Sequence, residues 1–172
     1  MCHFLRRAKA CANGSTRTIK LADVNPIYCA LDTTDKEQAN ALVADLKTVI
    51  GGVKIGMTYF YAHGVAGMQT IAQHGLPIFL DLKLHDIPNT VAHAVRALCP
   101  LKPAILNVHV SGGQAMMQAA AKAAAEFGAH APLLIGVTVL TSLEENDLHD
   151  IGMAHNATEQ TLRLANLAQQ AG

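Results

Sequence analysis

From Ile27 onward, short apolar runs alternate with stretches in which apolar residues recur every three or four positions. The short runs read as buried strands and the periodic stretches as helices packed by one face. The first run is "IYCALD", Ile27 to Asp32. Thr34 and Glu37 then form a capping-box pattern ahead of Leu42, Val43, Leu46, Val49 and Ile50 at helical spacing. Gly51 and Gly52 close that helix, and "VKIG" from Val53 begins a second strand. A helix is expected from about Met57 to Gln73, interrupted at Gly64 and closed by His74 and Gly75, before a third strand, "PIFLDLKL", from Pro77 to Leu84. Asn89 or Thr90 can cap a helix to Leu98, "AILNVHV" from Ala104 reads as a fourth strand, and an alanine-rich helix follows from about Gln114 to Phe127. "LLIGVTVL" from Leu133 is a fifth strand, and Asn156 with Glu159 caps a last helix through Leu162, Leu164, Ala165 and Leu167.

Strands separated by helices at spacings of about 25–30 residues imply right-handed βαβ units and a parallel sheet. No Gly-x-Gly-x-x-Gly follows the first strand, which argues against a dinucleotide-binding fold. An α/β fold of the (β/α)8 TIM-barrel type fits better. Such barrels run to about 250 residues, so these 172 residues read as a barrel cut short after its fifth βα unit.

Composition sharpens this picture in two places. Half the residues are hydrophobic, 15% are charged and the formal net charge is zero, which suits a domain with a sizeable core and gives no reason to expect nucleic acid as a partner. Charge is unevenly divided, however: Arg6, Arg7, Lys9, Arg17 and Lys20 face only Asp23 before residue 26. Residues 1–25 therefore read as a basic, disordered extension and 26–172 as the partial barrel domain. No apolar run is long enough for a membrane span. Cys2, Cys11, Cys29 and Cys99 fall at no zinc-ligand spacing, consistent with reduced thiols in a cytoplasmic protein.

Candidate chemistry gathers where a barrel places it, at the C-terminal ends of the strands. Asp32 closes the first strand, Lys54 lies in the second, Asp81 and Lys83 end the third, and Thr141 follows the fifth. Strand alternation would put Asp81 and Lys83 on one face, toward the barrel interior, with Leu80 and Leu82 turned to the helices. Plainer readings compete: Asp32 with Lys54 as a structural ion pair, and Asp86 as a cap on the next helix. His63, His74, His85 and His93 show no ligand spacing and read as surface or helix residues, and His109 as a packed, hydrogen-bonded side chain.

"DLKLHDIPNT", Asp81 to Thr90, resembles the signature of the orotidine 5′-phosphate decarboxylase family, Asp-x-Lys-x-x-Asp-Ile-Pro-x-Thr. "ALD" at 30–32, "VKIG" at 53–56, "NVH" at 107–109 and "VTVLTS" at 137–142 occur in that family's order and spacing. Related sugar-phosphate decarboxylases and synthases share the Asp-x-Lys-x-x-Asp core but bind magnesium and lack Ile-Pro-Asn-Thr after it. The resemblance implies decarboxylation of orotidine 5′-monophosphate to uridine 5′-monophosphate without cofactor or metal. It further implies Lys83 as proton donor, Asp81 against the substrate carboxylate, Lys54 at the ribose and in the charge network, Asp32 on substrate hydroxyls and Thr141 on the pyrimidine. Asp86, Ile87 and Thr90 would reach the partner's site in a homodimer.

Such a decarboxylation leaves a carbanion at C6 with no adjacent π-system, so placed charge must stabilise it. A unit charge pair at 4 Å is worth roughly 4 kcal/mol at an effective dielectric of 20 and about 1 in water. Phosphate esters usually sit on barrel loops after strands seven and eight, beyond the five units read here. The sequence thus leaves open an inactive fragment and a metal-dependent sugar-phosphate lyase as alternatives to the decarboxylase.

Overall fold

The computed structural model describes residues 25–154 and 156–172. The basic stretch, with Cys2 and Cys11, lies outside the described residues, apart from Asn25 at its end. Five strands, β1 (Tyr28–Leu31), β2 (Gly52–Gly56), β3 (Ile78–Leu84), β4 (Ile105–His109) and β5 (Leu133–Val137), form one parallel sheet in sequence order. Helices α1 (Lys36–Leu46), α2 (Met57–Ala72), α3 (Pro88–Leu98) and α4 (Gln114–Ala125) connect them, and α5 (Glu145–Asp150) and α6 (Ala157–Ala171) follow β5. Strand order without reversal is that of a barrel wall, since a doubly wound sheet reverses direction at its switch point.

The register sorts the strand residues into two faces. Leu31, Ile55, Leu80 and Leu106 stand side by side across four strands and are fully buried. Val53, Ile78 and Val108 join them against Val43, Ile71, Val91, Val95, Met116 and Ala120 of the helices, and this layer is the core. The opposite face, with Ala30, Lys54, Phe79, Ile105 and Ile135, is more open. It carries the charged residues toward its C-terminal edge.

Local signals account for most boundaries, with four corrections. Asp35, not Thr34, caps α1, its carboxylate accepting from the Gln38 N–H at 2.9 Å. Asn89 and Thr90 do not cap α3 but lie in its first turn, because Pro88 takes the first helical position and holds Ile87 extended before it (φ −59°, ψ 153°). The fifth strand ends at Val137 rather than Leu140. Helix α5 was not expected: with Leu148 as its one buried residue it shows no apolar period, although Glu144 and Asp147 form a reciprocal capping box. Asn156 caps α6 as read, accepting from the Glu159 N–H at 2.9 Å. His63, in α2, and His74, just beyond it, are half-buried, and their rings tie this segment to the Thr34 carbonyl at 2.8 Å and to Asn40 at 2.7 Å. Among the described residues no helix is long and apolar enough to cross a membrane, and Cys29 and Cys99 are unpaired thiols.

Candidate active site

Three adjacent strands bring four charged side chains together. Asp32 stands one residue beyond β1, Lys54 lies mid-β2, and Asp81 pairs in register with Gly56 at the end of β2. Gly56 lies beside both groups: a Cβ on it would make ordinary van der Waals contact, 3.4 Å from the Asp32 carboxylate and 3.7 Å from the Lys54 ammonium. Lys54 Nζ approaches Asp32 Oδ1 at 3.9 Å and Asp81 Oδ2 at 3.1 Å, and Lys83 Nζ donates to Asp81 Oδ1 at 2.6 Å. The result is a row of alternating charge, Asp32, Lys54, Asp81, Lys83, with Asp81 buried at its centre and Asp32 at the open end.

Asp81 and Lys83 meet as expected, but plain strand alternation is not the cause. Lys83 has a φ of 52°, in the left-handed region that a residue with a Cβ occupies at a cost of about 1–2 kcal/mol. The β3–β4 ladder also shifts: Leu80 pairs with Leu106, and the next pair is Leu84 with Val108. Three residues of β3 therefore face one residue of β4. That bulge turns the Lys83 ammonium back onto the carboxylate two residues before it.

The single facing residue is Asn107, the polar position of the "NVH" stretch. It is 2% exposed. Its Nδ2 donates to Asp81 Oδ1 at 2.6 Å, and its Oδ1 accepts from the Lys83 backbone N–H at 2.8 Å. The visible signal was a polar residue inside an apolar strand, two positions before His109. Its partners lie 24 and 26 residues away in sequence, so only the bulge reveals what it does.

Burial pushes the Asp81 carboxyl up, but hydrogen bonds from Lys83, Asn107 and Lys54 and the Lys83 charge outweigh it and hold the group below its ordinary value. His109 lies against His85 with ring centroids 5.3 Å apart and the ring planes tilted by 42°. Burial, then His85 and Lys83, push its pKa down, and Asp81 opposes them. A cavity of about 170 Å³ opens beside this pair, lined also by Ser111, Thr138, Leu140 and Met153.

The remaining expected residues are not drawn into the charge row. Asp86 is exposed, and its carboxylate accepts from its neighbour's N–H, that of Ile87, at 2.7 Å. Ile87 is 66% exposed. Thr90 is exposed on the first turn of α3, and Thr141 is exposed in the turn beyond β5. No group of three or more His, Cys, Asp or Glu among the described residues is placed to hold a metal ion.

Sequential parallel strands joined by helices, in an order that does not reverse, define the class: an α/β-barrel protein. The chain belongs to the orotidine 5′-phosphate decarboxylase / HUMPS family, whose model matches residues 25–172. It is 52% identical over 148 residues to an orotidine 5′-phosphate decarboxylase of Erythrobacter litoralis, an alignment covering 86% of this chain and 64% of that protein. A Novosphingobium aromaticivorans protein of the same name is 50% identical over the same shares. Among solved structures, orotidine 5′-phosphate decarboxylase from Lactobacillus acidophilus superposes with a TM-score of 0.78 at 36% identity, covering 86% of this chain and 68% of that one. The chain thus spans slightly under two thirds of the length of the curated relatives it matches.

Proposed function

We propose that this chain carries the catalytic centre for decarboxylation of orotidine 5′-monophosphate to uridine 5′-monophosphate, the last step of de novo UMP synthesis. The observation that carries the reading is the Asp32–Lys54–Asp81–Lys83 row, with one ammonium 2.6 Å from a buried carboxylate. In the proposed reaction the bond from C6 to the carboxylate breaks, carbon dioxide leaves and the electron pair stays on C6. Lys83 stabilises that pair and then gives C6 a proton, which it regains from solvent. Asp81 lies against the departing carboxylate and orients Lys83. Lys54 holds the ribose and joins Asp81 to Asp32, which takes substrate hydroxyls.

Asp86, Ile87 and Thr90 are exposed and within one short stretch, which suits the part proposed for them across a homodimer interface. Thr141 is proposed to hydrogen-bond the pyrimidine. The reaction is proposed to run in the cytoplasm without cofactor or metal, and residues 26–172 are proposed to be part of a barrel domain whose phosphate grip lies in units beyond the fifth. The Ile87-Pro88-Asn89-Thr90 sequence and the decarboxylase names of the relatives favour this substrate over a sugar phosphate.

The test is loss of orotidine monophosphate absorbance with EDTA present, on the 172-residue chain and on a version extended by three βα units from a relative. Turnover by either supports the reading. Turnover by neither, with both folded, overturns it, and turnover that needs added magnesium points to a metal-dependent lyase instead.

A further inference from the structure

Between the Leu80–Leu106 and Leu84–Val108 pairs, β3 offers Asp81, Leu82 and Lys83 where β4 offers only Asn107. The Pro77 carbonyl accepts from Val53 of β2 and the Ile78 carbonyl from Ala104 on the β4 side, so a regular β3 would aim the Lys83 N–H at β2; the bulge turns it toward β4 instead, where an N–H left without a partner costs about 1–3 kcal/mol. The Asn107 side chain is that partner. Its other end donates to the carboxylate that receives the Lys83 ammonium, at the same oxygen, Asp81 Oδ1. The amide orientation is fixed by its partners: reversed, it would set a carbonyl against a carboxylate and an NH2 against an N–H.

We propose that Asn107 is a positioning residue that aims Lys83 at the reacting carbon, holding the left-handed Lys83 backbone with one end of its amide and the Asp81 carboxylate with the other. Lys83 is placed by an off-axis backbone, so its ammonium direction depends on the contact that keeps φ at 52°. Without that contact the bulge can relax toward a regular strand, carrying Nζ away from Asp81. As a statement about catalysis this rests on the decarboxylase reading; as a statement about geometry it does not.

The test separates the two ends of the amide in the 172-residue chain by NMR. In the parent, the Lys83 amide should be protected from exchange, and the Asn107 side-chain amide protons should titrate in step with the Asp81 carboxyl. Asn107→Leu removes both contacts: Lys83 amide exchange should accelerate by about 10–100-fold, and the Asp81 midpoint should rise, with the β1–β2 amides unchanged. Asn107→Asp keeps an acceptor for the Lys83 N–H but loses the donor to Asp81, so protection should persist while the midpoint rises. An unprotected Lys83 amide in the parent, or uniform loosening of β3 and β4 in Asn107→Leu with the Asp81 titration unmoved, overturns the proposal. Should both variants unfold, the parent's two signals decide. In a form that turns over orotidine monophosphate, Asn107→Leu should lower kcat by about 10–100-fold with KM within about threefold. No turnover in any form counts against the proposed function, while the exchange and titration data still decide this inference.

Discussion

At Asp81, burial and hydrogen bonding pull in opposite directions, and hydrogen bonding wins because Lys83, Asn107 and Lys54 all donate to one carboxylate. A carboxyl held below its ordinary 3.8 stabilises the fold above that value, and the contribution is lost as pH falls through the lower folded value. Urea midpoints of the parent should therefore fall more steeply below about pH 4 than those of Asp81→Asn; parallel curves would show that the carboxylate carries no such linkage. His109 has the same sign, since its folded pKa lies under 6.5 and the unfolded chain takes up the proton first. Stability should decline as pH drops below 6.5, less so in His109→Phe, with His85, Lys83 and Asp81 the groups facing the ring. For Lys83, the proposed proton donor, Lys83→Ala should cut turnover of an active form by about 10²–10⁴-fold or more and leave its circular dichroism unchanged. Turnover like the parent's would remove Lys83 from the mechanism.

Among the elements, α2 shows what a single glycine decides. Gly64 sits inside the helix at φ 56° and ψ −148°, a region closed to residues with a Cβ, and a Cβ there would meet nothing within 4 Å. Gly64→Ala should thus destabilise by about 1–3 kcal/mol through the backbone alone, read as a lower urea midpoint at unchanged m-value. An unaltered midpoint would mean that the helix straightens at no cost. The interruption was legible in the sequence because glycine is a strong local signal. The bulge in β3 was not: Lys83 occupies a glycine-like conformation without being glycine, and its compensation comes from β4.

For the whole molecule, register and burial place the helix-facing side chains in a dry layer while the other sheet face stays comparatively open. Among the described residues β1 and β5 each pair on one side only. An edge strand with an exposed apolar side chain invites pairing with another chain, and Leu133 on β5 is 42% exposed. Leu133→Lys should reduce concentration-dependent light scattering of the 172-residue chain with little change in its melting. Scattering that persists undiminished would show that β5 is not the surface through which copies associate. Arg96 of α3 and Glu126, just past the end of α4, form two hydrogen bonds, at 2.8 and 2.6 Å, on the outer surface, where water weakens them. The apolar side chains beneath carry that contact.

The sequence by itself determined the alternation of five strands with helices, the parallel sheet and the positions of Asp32, Asp81 and Lys83 near strand ends and of Lys54 within the second strand. Apolar period, glycine and motif spacing are local properties, and no contact between distant segments is needed to read them. Tertiary structure alone decided that Lys83 leaves the regular strand, that Asn107 fills the bulge so formed, and that Asp86, Ile87, Thr90 and Thr141 stand apart from the charge row. The first two depend on how two strands about two dozen residues apart come into register, and hydrogen bonding across that register is fixed only once the sheet has formed.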